Sequence, residues 1–256
     1  MAHLKNWCNR SSTKVNKHNL LYFEAEALKV ASAVASVAAV VPSHYAAAER
    51  VSRILNRMGK REAGKYLATK LPTGTKSRSG DIGEILAASF VTEFTPYKLG
   101  VLKLRWKDHR EMAMRGDDIL AVREDPNLKV CFLKGEVKSR SALAKRTVDD
   151  ARRALASNYG RPTPHALWFV ADRLYETGQT ALSDLIDDQL KERIKTTQMS
   201  HMMFMFTGSN PCKLLTDNLT AYTGTIPQYA IGLRVAEHQN FIKKIYEKVI
   251  SDGIKP

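Results

Sequence analysis

The chain has 256 residues, 44% apolar and 26% charged, which is long enough to bury a full core and too apolar to remain disordered. Forty Lys and Arg stand against 26 Asp and Glu, a net charge of +14, and a surface of that sign attracts polyanions, nucleic acid first among them. Three distant cysteines, Cys8, Cys131 and Cys212, form neither a CxxC nor an even set, which argues against a zinc site or a disulfide framework and for a reducing cytoplasm.

Residues 1–20 are polar and basic and read as a loose arm or a short structured lead-in. Leu20 to Val41 is rich in Ala and Leu and reads as a helix. Its apolar part, Val30 to Val41, is shorter than the about 20 residues a bilayer crossing needs. It also follows Glu24 and Glu26 and starts late for a signal peptide, so a buried core helix and no membrane partner are expected. Pro42 is expected to end that helix, and Ser43 to cap a second one reaching Met58. Arg50 to Arg78 carries nine Lys and Arg and is either a phosphate-contacting face or an ordinary solvated one.

Ile82, Ile85, Leu86 and Phe90 fall at helical spacing and place a helix over Asp81 to Thr92, with Asp81 as its cap. Val101 to Lys107 alternates like a strand, with Trp106 turned to the core. A second strand is expected over Asp118 to Arg123, a turn at Glu124 to Asn127, and a third strand over Leu128 to Lys138. The continuous apolar run Val130 to Leu133 fits a strand covered on both faces. Beyond it come a helix over Thr147 to Asn158, a strand over His165 to Ala171 and a helix over Glu176 to Thr197. Strands over Met202 to Phe206 and Tyr229 to Val235 and a closing helix over Asn240 to Ser251 complete the chain. This order gives an α/β fold, a mixed central sheet flanked by helices. Residues 1–78 form a basic N-terminal helical element packed on a core of residues 79–256.

Three stretches carry chemistry: Gly83-Glu84-Ile85-Leu86 on a helix, Arg115-Gly116-Asp117-Asp118 leading into a strand, and Gly135-Glu136-Val137-Lys138-Ser139 at a strand end. Side chains alternate along a strand, so Glu136 and Lys138 share a face while Val137 points away. The turn through Pro126 can bring Asp118 onto the neighbouring strand, where Asp118 and Glu136 can share one divalent ion, with Glu84 as a further ligand. Hard Mg²⁺ or Mn²⁺ suits such oxygen donors, and Lys138 can stabilise charge developing on a phosphodiester. Asp117 is the second choice for the role of Asp118. Ser139, Arg140, Lys145 and Arg146 can touch flanking phosphates or be plain surface charge. No P-loop follows Gly59-Lys60 or Gly64-Lys65, and no GxSxG is present.

These stretches resemble the PD-(D/E)xK nuclease superfamily over roughly residues 81–171: a helix Glu (Glu84), an Asp on the second core strand (Asp118) and a Glu-x-Lys on the third (Glu136, Lys138). More narrowly, they are similar to the nuclease subunits of Hachiman-type bacterial anti-phage systems. That resemblance implies a restriction-endonuclease-like core, Mg²⁺- or Mn²⁺-dependent cleavage of DNA, catalysis by Glu84, Asp118, Glu136 and Lys138, and control by a helicase subunit of the same system. The alternative is a non-catalytic subunit on a nuclease scaffold that binds nucleic acid or the helicase.

Overall fold

The computed structural model describes residues 1–112, 116–127 and 129–254; Arg115 and Leu128, which belong to two of the stretches expected above, lie outside the described residues. A short helix α1 (Leu4–Trp7) leads into strands β1 (Cys8–Val15) and β2 (His18–Ala25). Helices α2 (Val30–Tyr45), α3 (Ala48–Met58), α4 (Lys60–Lys70) and α5 (Thr75–Phe94) follow. Next come β3 (Lys98–Leu99), a 3-10 turn at Lys103–Trp106, β4 (Ile119–Asp125) and β5 (Lys129–Arg140). Helices α6 (Lys145–Ala156), α7 (Pro164–Glu176) and α8 (Thr180–Lys191), strand β6 (Met199–Thr207), helix α9 (Cys212–Thr220), strand β7 (Gln228–Arg234) and helix α10 (His238–Ile254) complete the described chain.

All seven of these strands form one sheet in the order β1-β2-β7-β6-β5-β4-β3. The inner pairings β2–β7, β7–β6 and β6–β5 run parallel and β5–β4 antiparallel; the outer pairs β1–β2 and β4–β3 are also antiparallel. The sheet is therefore mixed and flanked by helices, as expected. One face presents Ile119, Ala121, Leu133 and Val137 to α5, with α2 and α10 behind it. The opposite face presents Leu120, Val122 and Phe132 to α7 and α8, and Met203 and Met205 to α6 and α9. With helices on both faces, β6 is buried throughout, which is why Met202 to Phe206 reads as unbroken apolar sequence.

Several expectations fail for physical reasons. Residues 8–25 are two strands of the sheet rather than a loose arm and the start of a helix. β1 lies at the sheet edge and is mostly exposed, so its side chains are polar and carry no alternation to read. β2 is inside the sheet, and Phe23 packs edge-on against Phe90 of α5 with ring centroids 5.9 Å apart. The N-terminal 78 residues thus hold strands as well as helices, and the boundary expected after residue 78 falls inside α5. Pro42 lies within α2, where Ala46 N–H still reaches its carbonyl at 3.0 Å. The Ser43 hydroxyl donates to Val40 O inside the same helix instead of capping the next. With the 3-10 turn before it, α2 makes a 19-residue apolar stretch, Ala27–Tyr45, long enough by length and composition to cross a membrane; Ala33, Val37 and Val41 pack into the core.

Val101 to Lys107 holds a 3-10 turn, Lys103–Trp106, in place of a strand, and the edge strand is Lys98–Leu99. Trp106 is 36% exposed, with the Arg173 guanidinium 4.3 Å above its ring. His165 to Ala171 lies in α7, whose start is fixed by Pro164 in the first turn and by Thr163, which accepts a hydrogen bond from Ala166 N–H. The helix expected over Glu176 to Thr197 is broken at Gly178, where φ is +79°.

Candidate active site

The β4–β5 hairpin pairs Ile119 with Gly135, so Asp118, one residue before β4, stands across from Glu136. Asp118 Oδ2 accepts a hydrogen bond from Val137 N–H at 2.8 Å, which fixes its carboxylate to the neighbouring strand. Gly135 permits this approach: a Cβ there would lie 2.8 Å from Ile119 Cβ and 2.9 Å from Met202 Cε. Glu136 and Lys138 share a face, as strand alternation requires, and the Lys138 ammonium is ion-paired with Glu136 Oε1.

Val137 and Ser139 point to the opposite face, against α5. A Cβ on Gly83 would come within 3.2 Å of Val137 Cγ1 and 3.3 Å of Ser139 Cβ, so the glycine lets α5 lie close under β5 and presents the next residue, Glu84, to Asp118. The four expected residues are therefore gathered from two faces of the sheet, with Asp118 at the strand entrance as the common member. Its charge acts both on Glu84 and on Glu136.

Burial and mutual repulsion dominate the electrostatics. Burial, then the Asp118 charge, push the Glu84 carboxyl up to about 8, against the pull of Lys103 and Lys107. Asp118 is raised by burial and opposed by the Val137 N–H, Lys103 and Lys138. Glu136 is raised by burial and by Asp118, and Lys138 opposes this. Asp117 plays a different part. Its Oδ1 lies 3.3 Å from the ammonium of Lys134, a lysine only 1% exposed. Lys134 also donates to Ser157 O and Oγ, both at 3.1 Å, and to Arg161 O at 3.2 Å. Asp117 is thus the counter-ion of a buried lysine that ties β5 to the loop after α6, while Asp118 faces the other carboxylates.

Sequence reading missed three cations. Lys134 sits on the Glu136 face of β5, two residues earlier, and a lysine directly after an apolar run is a usable signal. Lys103 donates to Asp117 O at 2.7 Å and holds the backbone that presents Asp118. Lys107 reaches both oxygens of Asp81, at 2.6 and 2.7 Å. Asp81 is not a cap, because α5 begins at Thr75; its Oδ2 also accepts from Tyr45 Oη at 2.5 Å, and Tyr45 meets Tyr246 at 2.9 Å. This network ties α2, α5 and α10 to the 3-10 turn.

Ser139 is buried, its hydroxyl within 2.8 Å of Ser79 Oγ and 3.0 Å of His238 Nε2, and does not face solvent phosphate. Arg140, Lys145 and Arg146 are exposed, with Lys145 paired to Asp149 at 2.7 Å. A cavity of about 320 Å³ reaches Glu84, Lys103, Asp117 and Asp118. Among the described residues no three His, Cys, Asp or Glu side chains converge into a ready-made metal cluster.

The family model described as HamA matches residues 1–249. The chain is 26% identical over 243 residues to the Hachiman protein HamA of Bacillus cereus, covering 92% of this chain and 85% of that protein. By the extent of the family match, which takes in the edge strand β1 as well as the whole of the candidate site, the chain belongs to the HamA family.

Proposed function

We propose that this protein is a metal-dependent deoxyribonuclease of the PD-(D/E)xK type, a cytoplasmic effector of bacterial anti-phage defence held in check or directed by a helicase subunit. The observation that carries this reading is Asp118 set across from the Glu136–Lys138 pair, with Glu84 approaching from α5. The element order α5–β3–β4–β5–α6 agrees with that superfamily's core, and family membership supports the defence role and a system partner.

The donors suit a hard divalent cation. Asp118, Glu136 and Glu84 are oxygen donors whose ionisation is disfavoured by burial, and at Glu84 and Glu136 by the Asp118 charge as well. They would hold Mg²⁺ or Mn²⁺ together with water, since Mg²⁺ keeps several waters and needs no all-protein cage. When bound, such an ion supplies Lewis acidity to phosphodiester hydrolysis. The Val137 N–H fixes the Asp118 carboxylate. Glu136 Oε1 orients the Lys138 ammonium, which faces the negative charge that grows on the phosphoryl oxygens. Glu84, with its carboxyl pushed up to about 8 by burial and then by Asp118, holds a proton at neutral pH in the metal-free protein and would give it up on holding a cation.

The test is cleavage of supercoiled and linear DNA with Mg²⁺ or Mn²⁺ and with EDTA, using wild type, Glu136→Ala and Lys138→Ala, each with and without the helicase subunit. Metal-dependent cutting reduced about 100-fold or more in either variant, with DNA binding intact, is expected. Binding without cutting under every condition would support the non-catalytic, nucleic-acid-binding or helicase-interacting subunit instead.

A further inference from the structure

Residues 103–110 separate two hollows that share Leu104 and Asp108. The first is the cavity that reaches Glu84 and Asp118; Leu99, Val101, Leu102, Phe169 and Val170 give it one apolar wall, and His44, Lys103, Asp108, Asp117 and His165 line the rest with polar groups. The second, of about 350 Å³, is lined by Lys70, Arg105, Lys107, His109 and Arg110. Two of those cations are committed elsewhere. Lys107 is bound to Asp81, and Arg105 Nε donates to Ser43 O at 2.7 Å. The other two are held only loosely and at the surface: Lys70, exposed at the end of α4, lies 5.9 Å from the Tyr66 ring centroid, and Arg110 makes a long ion pair of 3.9 Å with Glu111, so both can turn to a phosphate.

A hollow with an apolar wall at Phe169 beside the carboxylates and a basic one across a single turn match the two sides of one polynucleotide strand: flat base faces and negative phosphates. A duplex keeps its base faces stacked inside and offers only phosphates to such a surface. An unpaired strand exposes both, and proteins that hold one combine a basic track with an aromatic platform. We propose that the substrate is single-stranded nucleic acid, either a separate strand or a splayed end. The base flanking the scissile phosphate enters the first hollow against Phe169, and the adjoining phosphates cross residues 103–110 to Lys70 and Arg110. This names the substrate form for the reading above and rests on that reading for the chemistry.

The experiment uses the full chain and an oligonucleotide carrying 2-aminopurine, as a single strand and in a blunt duplex, first in EDTA for binding and then in Mg²⁺ for cutting. Expected are a fluorescence change on the single strand alone and binding about tenfold weaker in Phe169→Ala. Phe169→Trp, which keeps an aromatic ring there, should restore both. Lys70→Ala/Arg110→Ala should lower the salt slope of binding by about 1.4, or about 0.7 for each phosphate that is no longer neutralised. Equal binding and cutting of the blunt duplex with no fluorescence change would overturn the inference and leave the nuclease standing. A Phe169→Ala variant that folds and binds like wild type would overturn it as well. A fluorescence change without cutting in any metal would support the strand site and refute the nuclease.

Discussion

Replacing Glu84 with Gln should make the metal-free protein more stable at alkaline pH. The Glu84 carboxyl moves from 4.5 to about 8 on folding, chiefly through burial and then through Asp118. The folded protein therefore keeps a proton that the unfolded chain releases above pH 4.5. Stability from this group is complete below 4.5 and is lost as pH rises through about 8. Each tenfold change in proton affinity is worth about 1.4 kcal/mol, which sets an upper bound of roughly 5 kcal/mol. Glu84 is only partly shielded from water at the cavity wall, and screening reduces this to about 2 kcal/mol. For a domain of this size that is a fall in Tm of about 4–8 °C. Melting curves at pH 5, 7 and 9 in EDTA would measure it. Glu136 and Asp118 shift in the same direction, so the wild-type slope alone is not specific, and the difference between wild type and Glu84→Gln isolates the group. Adding Mg²⁺ at pH 8 should restore wild-type Tm and move the variant less. A Glu84→Gln profile parallel to wild type in EDTA would refute the assigned burial and its coupling to Asp118.

Asp118→Asn should reduce cleavage about 100-fold because it alters the carboxylate held by Val137. Asp117→Asn should keep activity within about tenfold while lowering stability; the reverse order would exchange their roles. Lys134→Met strips a buried counter-ion from Asp117 and three hydrogen bonds from the Ser157–Arg161 loop, so a loss of about 3–5 kcal/mol in denaturant unfolding is expected. Gly83→Ala pushes a methyl to 3.2 Å from Val137. It should destabilise by about 1–3 kcal/mol and, by lifting α5, reduce metal-dependent cutting; stability and rate measured together would check both effects.

The juxtaposition of the candidate residues is more legible in the sequence than the frame around it. Strand parity alone puts Glu136 and Lys138 on one face, and the turn through Pro126 brings the Asp117-Asp118 pair across from them, because both rules act locally; the preference for Asp118 over Asp117 comes from the family resemblance. Glu84 is marked by the apolar residues that bury its helix. What escapes depends on distant partners. β1 is polar because it is a sheet edge, and nothing in Asn9 to Lys14 shows that residues 18–25 will pair with β7 near the other end of the chain. Leu102 to Trp106 alternates too briefly to separate a strand from a 3-10 turn. The apolar run Leu167 to Val170 suggests a strand by composition, although Thr163-Pro164 ahead of it is a helix start. Asp81 resembles a cap, although its partners Tyr45 and Lys107, and Tyr246 behind Tyr45, come from three other parts of the fold.

Asp118 can be shared between two faces only because it precedes β4. Inside the ladder, alternation would commit its side chain to one face, and Glu84 and Glu136 approach from opposite ones. A one-residue slip of β5 in its ladder would move Glu136 and Lys138 to the α5 face and Val137 out of the core, so the register that β4 and β6 impose on β5 belongs to the site as much as its side chains do. The charges are also uneven: Glu84, Asp118 and Glu136 feel three lysines, Lys103, Lys107 and Lys138, and Lys107 is already bound to a fourth carboxylate, Asp81. The upward shift of all three carboxyls follows first from burial, and at Glu84 and Glu136 from the Asp118 charge as well. On the proposed reading a divalent cation supplies the missing positive charge, and the same shortfall makes the site dependent on it.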